Sequence, residues 1–333
     1  MTEMSEHTHP PIAVIYHADC IDGFGAAYAA WRKFGDAARY LPMHHGDPWQ
    51  PEDFADQIVY ILDFSFPSPQ LMALARSARA VTQLDHHASA RAAWLGQLSE
   101  DPNGHEFRVD RKLSLHLVFH MQKSGARLAW EHFHPGQTLP PALAMIEDQD
   151  LWRFHHPDTR AFCRALRLLP FAFDEWDTIV RASISNDSDY QAHIANGHAI
   201  ETFFKREVER MTSSHLLTPA RLRGEPVDAL QAQWHGQEII VDDDRAWLAL
   251  RGLAINANAL FASELGHHLA TASDSFGLIW QLSGDGQVKA SLRANGNVDV
   301  AAIAARYGGG GHRNAAGFRL PCQQFFSEVL GIH

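Results

Sequence analysis

The chain has few cysteines, no long apolar run and no leader-like start. Its three cysteines are widely spaced and odd in number, which predicts a reduced, cytoplasmic protein and not a disulfide scaffold. No apolar stretch approaches the roughly 20 residues that a membrane-spanning helix needs. The first ten residues are polar and lack the basic start and apolar middle of a signal peptide. We therefore expect a disordered tail over residues 1–10.

Positive charge is also scarce, with 28 Lys and Arg against 39 Asp and Glu and a formal net charge of −11. A protein that follows long nucleic acid neutralises its backbone with a basic groove, so this balance disfavours such a partner. It leaves open a small phosphate-bearing ligand, because bound metals can supply positive charge locally. The length of 333 residues and the 46% hydrophobic content predict a globular chain of two domains.

Short apolar strands alternate with helices in the first half of the chain, which indicates an α/β domain with a parallel sheet. In such sheets the functional groups gather beyond the carboxyl ends of the strands. The predicted strands are Ile12–Tyr16, Ile58–Leu62 and Ala80–Leu84. The predicted helices are Gly23–Phe34, Pro69–Arg76, Leu113–His134 and Pro141–Gln149.

The second half predicts a smaller α/β domain behind a helical connector. We expect the catalytic domain over residues 11–189, the connector over residues 190–215 and the second domain over residues 216–333. Strands are predicted at Glu238–Val241, Phe276–Leu282 and Gln287–Leu292, and helices at Ala257–His268 and Val298–Tyr307.

Three potential metal ligands, His17, Asp19 and Asp22, lie within six residues after the first strand. On a loop released from a buried strand, these side chains can converge on one cation. Imidazole and hard oxygen ligands suit Mn²⁺, Mg²⁺ or Fe²⁺ better than a thiolate-type zinc site would. The alternative interpretation is a solvated turn whose aspartates cap the next helix.

The next two strands also end in ligand-type residues. Asp63 follows the second strand, and Asp85-His86-His87 follow the third. Asp63 alone is as typical of a cap or turn as of a metal ligand. An Asp and two adjacent His are costly to bury without partners, and a metal with an anionic phosphate would provide them.

A fourth cluster, Glu147-Asp148-Gln149-Asp150, ends a predicted helix. Negative charge there opposes the helix dipole, so a compensating cation is expected, with a solvated acidic loop as the alternative. Other histidine pairs lack strand-end aspartates and are predicted to be surface or packing residues: His44 with His45, His155 with His156, and His267 with His268.

A glycine run, Gly308–Gly311, precedes His312, Arg313 and Asn314. Consecutive glycines let the backbone approach a phosphate closely and present its N–H groups as an anion nest. A flexible linker is the alternative. The run sits between a predicted helix and an apolar segment, which favours a fixed loop.

The order and content of these clusters resemble the DHH phosphoesterase family, named for the Asp-His-His motif present here as Asp85-His86-His87. Gly308–Gly311 with His312, and the preceding Ser291-Leu292-Arg293, resemble the C-terminal substrate-binding domain associated with that family. The resemblance runs from about Ile12 to Leu320. It implies an active site in the cleft between the two domains.

The resemblance implies a role for each motif. Asp63 would bridge two divalent ions, expected to be Mn²⁺ with Mg²⁺ or Fe²⁺ as alternatives. His87 would contact the scissile phosphate, and Asp85 is assigned to catalysis with it. The implied metal ligands are His17, Asp19, Asp22, Asp63, His86 and Asp148, the last with Asp150 as its alternative. The implied substrate-binding residues are Ser291, Arg293, Gly309, Gly310, Gly311, His312 and Asn314.

The first motif departs from the family pattern. It reads His-x-Asp-x-x-Asp here, whereas many members have His-x-x-x-Asp-x-Asp. Which of His17, Asp19 and Asp22 contacts which ion is therefore left open.

The function that follows from the resemblance is metal-dependent phosphodiester hydrolysis of short oligoribonucleotides or dinucleotides. A nucleoside bisphosphate phosphatase is the alternative enzyme, and a nucleotide-sensing module is the alternative without catalysis. No membrane partner is expected, and a homodimer is left open.

Overall fold

The computed structural model describes residues 11–332 except 215, 230–231, 233–234 and 243–244. The predicted tail, residues 1–10, lies outside the described residues. The chain divides into two compact units, Met1–Thr202 and Phe203–His333. The division falls inside the helix Ser188–Ser214, in the segment predicted as a connector. Among the described residues, no helix is both long and apolar enough to cross a membrane. The location of the active site in an interdomain cleft stays a prediction.

The first unit is built on a seven-stranded, mostly parallel sheet, so the predicted α/β fold is confirmed. The strand order is β2-β1-β3-β4-β7-β6-β5, parallel from β2 to β7 and antiparallel from β7 to β5. The strands are β1 (Ile12–His17), β2 (Ala38–Met43), β3 (Ile58–Leu62), β4 (Ala80–Asp85), β5 (Ser99–Glu100), β6 (Glu106–Asp110) and β7 (Leu115–Phe119).

Helices and short 3₁₀ turns connect these strands, and helices α4 to α8 follow the last of them. The helices are α1 (Ile21–Phe34), α2 (Ser68–Ser77), α3 (Ala88–Ala92), α4 (Gly125–Phe133), α5 (Pro141–Asp150), α6 (Thr159–Leu166), α7 (Phe173–Ser185) and α8 (Ser188–Ser214). The 3₁₀ turns are Gly35–Ala37 and Pro51–Phe54.

Strand β1 is buried on both faces, as its continuous apolar sequence requires. Alternate residues of β1 enter two different cores: Val14 packs with α1 and α4, whereas Ile15 packs with α2. Alanines fill most of the buried face of α1, from Ala26 to Ala30, so that α4 can pack closely against it. These two cores fix the edge at which the strands end.

The predicted helix Leu113–His134 is wrong in its first half, which forms strand β7. Leu115, Leu117 and Phe119 alternate with less buried residues, and the strand pairs with β4 in parallel. This period of two outweighs the helical spacing of the apolar residues. Helix α4 begins only after Ser124, whose hydroxyl accepts a hydrogen bond from the Arg127 amide.

The second unit contains a separate, mostly antiparallel sheet, with only the β10–β11 pair parallel among the described pairs. Its strand order is β13-β14-β12-β11-β10-β8, with β9 paired to β10. The strands are β8 (Thr218–Val227), β9 (Ile239–Asp242), β10 (Arg245–Asn256), β11 (Phe276–Leu282), β12 (Gln287–Ala294), β13 (Gly310–His312) and β14 (Ala315–Pro321). The helical segments are Ala259–Phe261, α9 (Ala262–Ser273), α10 (Val300–Ala305), Cys322–Gln324 and the π-helical turn Phe325–Val329.

Candidate metal centre

The carboxyl ends of β1, β3 and β4 bring His17, Asp63 and Asp85 to one edge of the first sheet. The order in which strands are added changes side here, because β2 lies on one side of β1 and β3 lies on the other. A crevice opens at such a switch point, and ligands bind there in open α/β sheets. Topology alone therefore explains why residues distant in sequence meet at this edge.

Two glycines let the starts of helices α1 and α4 approach this edge. A Cβ on Gly23 would lie 2.3 Å from the His17 carbonyl oxygen. A Cβ on Gly125 would lie 2.4 Å from the Asp63 Cβ. Since real Cβ atoms do not come so close, only glycine allows the two helix starts to sit against His17 and Asp63.

His86 lies at the centre of a group of carboxylates. Its Nε2 atom is 3.0 Å from Asp63 Oδ1 and 3.6 Å from both Asp22 Oδ2 and Asp150 Oδ2. On the other side of Asp63, His17 Nδ1 lies 3.7 Å from Oδ2. The structure thus brings together His17, Asp22, Asp63 and His86 from the predicted ligand set.

Asp22 is fully buried and is held by the start of helix α4. Its carboxylate accepts hydrogen bonds from the backbone amides of Gly125 at 2.6 Å and Ala126 at 2.9 Å. The free amides and the dipole of a helix start favour a negative group. Burial, followed by the charges of Asp63 and Asp150, nevertheless raises the pKa of Asp22 well above its usual value. A positive charge is therefore needed if Asp22 is to be ionised.

Three overlapping groups of side chains place ligand atoms within 4.8 Å of one another: His17 with Cys20 and Asp63, Asp63 with His86 and His87, and Asp22 with His86 and Asp150. Asp63 and His86 each belong to two of these groups, and of the two only the Asp63 carboxylate has two oxygens with which it could bridge two ions. Imidazoles and carboxylates are the donors that Mn²⁺, Mg²⁺ and Fe²⁺ accept. The donor set therefore fits a pair of divalent cations.

The protonation of the cluster reflects its crowding. Burial opposes ionisation of Asp63, but hydrogen bonds from His17 and His86 outweigh it and hold the pKa of Asp63 well below its usual range. Burial lowers the pKa of His86, but the carboxylates around it, Asp63 first, raise the net pKa well above the usual value. The carboxylates thus favour the protonated form of His86, as they would favour a bound cation.

Asp85 holds His87 and does not join any of the three groups. Its Oδ1 atom lies 2.6 Å from His87 Nδ1 and accepts a hydrogen bond from the His86 amide at 2.8 Å. Its other oxygen accepts a hydrogen bond from the Ser65 hydroxyl. Burial lowers the pKa of His87, but the Asp85 carboxylate outweighs it and raises that pKa to about 9. His87 is therefore oriented and kept protonated by Asp85.

The structure does not bring Asp148 to the cluster and brings Asp150 there instead. The Asp148 carboxylate turns to the following loop, where it accepts hydrogen bonds from the amides of His155 at 2.9 Å and His156 at 3.1 Å and from the Thr159 hydroxyl at 2.5 Å. These donors satisfy the carboxylate without a metal. The expectation that Asp148 is the ligand is thus replaced by its alternative, Asp150.

Asp19 also points away from the other ligands. Its side chain is 82% exposed and pairs with His44, with 3.1 Å between Oδ2 and Nε2. In its place the structure offers Cys20, whose pKa is raised by burial and by the surrounding carboxylates, so that it stays a thiol. Of the three residues of the first motif, it is therefore His17 and Asp22 whose side chains reach the cluster.

Sequence reasoning missed two neighbours of the cluster. Ser65 fixes Asp85, and its position two residues after Asp63 was the available signal. His45, predicted to be a packing or surface residue, stacks on Phe64 with 4.6 Å between ring centroids and lies 6.1 Å from the His17 ring. The signal for His45 was its place just after strand β2, which was not among the predicted strands.

The glycine run of the second unit is a hairpin edge. Gly310–His312 forms β13, paired with Ala315–Gly317 of β14. The amides of Gly308 and Gly309 donate to carbonyls of α10. These two N–H groups are therefore not available for the anion nest that the sequence predicted. A Cβ on Gly311 would lie 2.5 Å from the Ala315 oxygen, whereas one on Gly310 would meet nothing within 4 Å. Packing of the hairpin thus requires glycine at position 311 but not at position 310.

The other predicted substrate residues lie on or beside this sheet. Ser291 and Arg293 project from the same face of β12, and Ser291 pairs with Gly317 of the next strand. The Arg293 guanidinium donates to the Leu292 carbonyl at 2.8 Å and to the Ser263 hydroxyl at 3.1 Å. Asn314, at the turn of the hairpin, accepts a backbone hydrogen bond from Ala294. Arg293 therefore supports the packing of α9 on the sheet.

Residues 262–331 match the family model of the DHHA1 domain. The match covers about a fifth of the chain and lies within the second unit, which is called the DHHA1 domain below. The likeness of the first unit to DHH phosphoesterases stays a prediction carried by Asp85-His86-His87 at the end of β4. The first unit is called the DHH domain below, after this motif.

Comparison with individual proteins gives more distant likenesses. An uncharacterized protein, R106, of Acanthamoeba polyphaga mimivirus is 28% identical over 323 residues, which are 91% of this chain and 66% of that protein. The chain thus spans just under two thirds of the length of this curated relative.

Two solved structures are also similar. The pGpG-specific phosphodiesterase PggH of Vibrio cholerae has 12% identity and a TM-score of 0.42, with 94% of each chain covered. RecJ of Thermus thermophilus, in complex with Mn²⁺, has 14% identity and a TM-score of 0.44, with 94% of this chain and 50% of RecJ covered.

Proposed function

We propose that this chain is a divalent-metal-dependent phosphodiesterase that hydrolyses short oligoribonucleotides or dinucleotides to mononucleotides. The observation that carries the proposal is the shared carboxylate: Asp63 belongs to two ligand groups that meet at the ends of adjacent strands. A single structural ion would not need three overlapping groups. Mn²⁺ is the expected ion, because the donor set mixes imidazoles with carboxylates.

The residues that would hold the ions are His17, Asp22, Asp63, His86 and Asp150. A bound pair of divalent ions supplies a water nucleophile at neutral pH and neutralises charge that develops on the phosphorus. The DHH domain contributes the geometry: the start of α4 fixes Asp22, and Gly125 lets Asp63 sit against that helix. Fixed ligands of this kind need no rearrangement during the reaction.

His87 would donate to a non-bridging oxygen of the scissile phosphate. Its Nδ1 atom lies 2.6 Å from Asp85 Oδ1, so we assign Nε2 as the ring nitrogen that contacts the substrate. In the metal-free protein the Asp85 carboxylate outweighs burial and raises the pKa of His87 to about 9. A hydrogen-bond donor at this position stabilises the extra negative charge of the transition state more than that of the ground state. His87 is therefore assigned to catalysis and Asp85 to holding it.

Two properties support a small substrate. The formal net charge of −11 disfavours a surface that binds long nucleic acid. In the DHHA1 domain, Gly310 lies on an exposed hairpin edge where a Cβ would meet no neighbour, so a phosphate can approach its backbone. The other predicted residues, Ser291, Arg293, Gly309, Gly311, His312 and Asn314, remain the proposed substrate-binding residues, although the Gly309 N–H group already donates to the Ala304 carbonyl.

The purified full chain should be assayed with Mn²⁺ on dinucleotides, on oligoribonucleotides up to five residues and on nucleoside bisphosphates. We expect mononucleotides from the first two substrate classes and no inorganic phosphate. Asp63→Asn is the inactive control, and the Asp19→Asn enzyme, altered at an exposed residue beside the site, should stay active. Phosphate released from bisphosphates alone would identify the phosphatase, and binding without turnover would identify a sensing module. Either result would refute the proposal.

A further inference from the structure

The loop directly after Asp150 has an unusual backbone. Trp152 has a φ of 55° and Phe154 a φ of 53°. Non-glycine residues rarely adopt this left-handed conformation, and for a bulky aromatic residue it is a genuine outlier. Each such residue is energetically unfavourable and persists only where the surroundings impose it. Two of them within three residues indicate that this loop shape is strongly imposed.

Asp148 imposes that shape. Its backbone oxygen accepts hydrogen bonds from the amides of Arg153 at 2.9 Å and Phe154 at 3.4 Å. Its carboxylate accepts those of His155 and His156, as described above. One residue thus holds the backbone of the four residues that follow Trp152. Asp148, two residues before Asp150, therefore holds the loop that contains Trp152 and Phe154, and we call it the Asp148 clamp.

The clamped loop does not bury its aromatic residues in a core. Trp152 is 37% exposed, whereas Trp176 of the same domain is fully buried. The Trp152 and Phe154 rings lie edge to face with 4.8 Å between centroids. The Arg160 guanidinium lies 3.5 Å from the centroid of Phe154 and 5.1 Å from that of Trp152. Burial of its apolar surface therefore does not explain why Trp152 is held in this unfavourable backbone conformation.

The backbone of Trp152 lies close to the metal centre. It follows Asp150 by two residues, and Asp150 Oδ2 lies 3.6 Å from His86 Nε2. Because consecutive Cα atoms are 3.8 Å apart, the Cα atoms of Asp150 and Trp152 are separated by no more than about 7.6 Å. A nucleobase is joined to its phosphate through one sugar. A nucleotide whose phosphate reached the metal centre could therefore place its base against Trp152.

We propose that Trp152 is a stacking platform for a nucleobase of the substrate, set by the Asp148 clamp and backed by Phe154 and Arg160. Aromatic side chains stack on bases of any sequence, because every base has a π-face. The site would thus favour nucleotide esters over phosphate esters without a base, with little preference among bases. This inference rests on the proposed function, of which it names the base-recognition element.

The test compares equilibrium binding of adenosine 5′-monophosphate and ribose 5-phosphate to the full chain with Mn²⁺, by titration calorimetry. The wild-type protein should bind the nucleotide more tightly. Trp152→Ala should weaken nucleotide binding by about 5- to 150-fold and leave ribose 5-phosphate binding unchanged. Trp152→Phe keeps an aromatic face and should retain most of the affinity, whereas Trp152→Leu should not.

Phe171→Ala is the matched control, because Phe171 is a 42% exposed aromatic residue of the same domain outside this loop. It should leave both affinities unchanged. Equal affinity of the wild-type protein for the two ligands would overturn the proposal. So would an equal loss of both ligands in the Trp152 variants, since that result assigns Trp152 to support of the Asp150 site. Failure of the proposed function would appear separately, as absent dinucleotide hydrolysis, because this binding test requires no turnover.

Discussion

Asp148 and Asp150 lie two positions apart on the last turn of α5, and replacing each by Asn should have opposite consequences. Asp150→Asn removes an anionic ligand from the group with Asp22 and His86. Asp148→Asn removes a carboxylate that accepts three hydrogen bonds from the following loop. The first change should affect metal content and turnover, and the second should affect stability.

The magnitudes follow from the contacts. A hydrogen bond to a charged group contributes about 1.5–3 kcal/mol, and Asn can replace only part of the Asp148 set because its NH₂ group faces a donor. We therefore expect Asp148→Asn to lower the free energy of unfolding by about 2–3 kcal/mol. For a unit of this size that corresponds to a Tm lower by roughly 4–12 °C.

Asp150→Asn should leave the stability of the metal-free protein unchanged or higher. Desolvation raises the pKa of Asp150, and the nearby Asp63 carboxylate raises it further, although His86 acts in the opposite direction. Removing one negative charge from such a cluster relieves repulsion. Turnover with Mn²⁺ should fall by more than about 100-fold, since changes even outside the ligand shell cost up to that factor.

Elemental analysis, calorimetry of the metal-free protein and dinucleotide turnover should be measured on both variants. Asp150→Asn should bind less metal than the wild-type protein, with an equal or higher Tm of the metal-free protein. Asp148→Asn should bind the wild-type amount of metal and have a lower Tm. If Asp148→Asn lost metal at an unchanged Tm, the assignment of the two carboxylates would be reversed and the proposed clamp of the Trp152 loop would be wrong.

Three further predictions concern the two domains. His87→Ala should retain its metal, as measured by elemental analysis. It should lose kcat and kcat/KM together, because the contact of His87 with the phosphate forms mainly in the transition state. Loss of metal would make His87 a ligand. In the metal-free protein, Asp85 raises the pKa of His87 from 6.5 to about 9, so this pair stabilises fully below pH 6.5 and its contribution is lost as the pH rises through 9. The wild-type Tm should decline across that window, and the decline should be smaller in His87→Ala; identical profiles would contradict the role of the pair. Gly311→Ala, at a φ of 143°, should lower the Tm of the DHHA1 domain, whereas Gly310→Ala should not and should instead weaken substrate binding.

The sequence by itself was sufficient for the parallel centre of the first sheet and for most of the candidate metal cluster. Short apolar strands that end in Asp or His predicted a parallel sheet, and the carboxyl ends of parallel strands share one edge. His17, Asp63 and His86 could therefore be expected together before any contact was known. The strand boundaries Ile58–Leu62 and Phe276–Leu282 were also predicted as observed, because polar residues bound both apolar runs.

Tertiary structure alone decided between Asp148 and Asp150. Successive residues of an α-helix are about 100° apart, so two residues separated by one position lie on nearly opposite faces. Sequence spacing cannot say which face meets the metal edge, since that depends on how α5 packs against α1 and α4. The same limit hid His45, which follows the edge strand β2, and the first half of the predicted helix Leu113–His134, which pairs with β4 as a strand. In each case a neighbour distant in sequence supplied the constraint that local periodicity lacked.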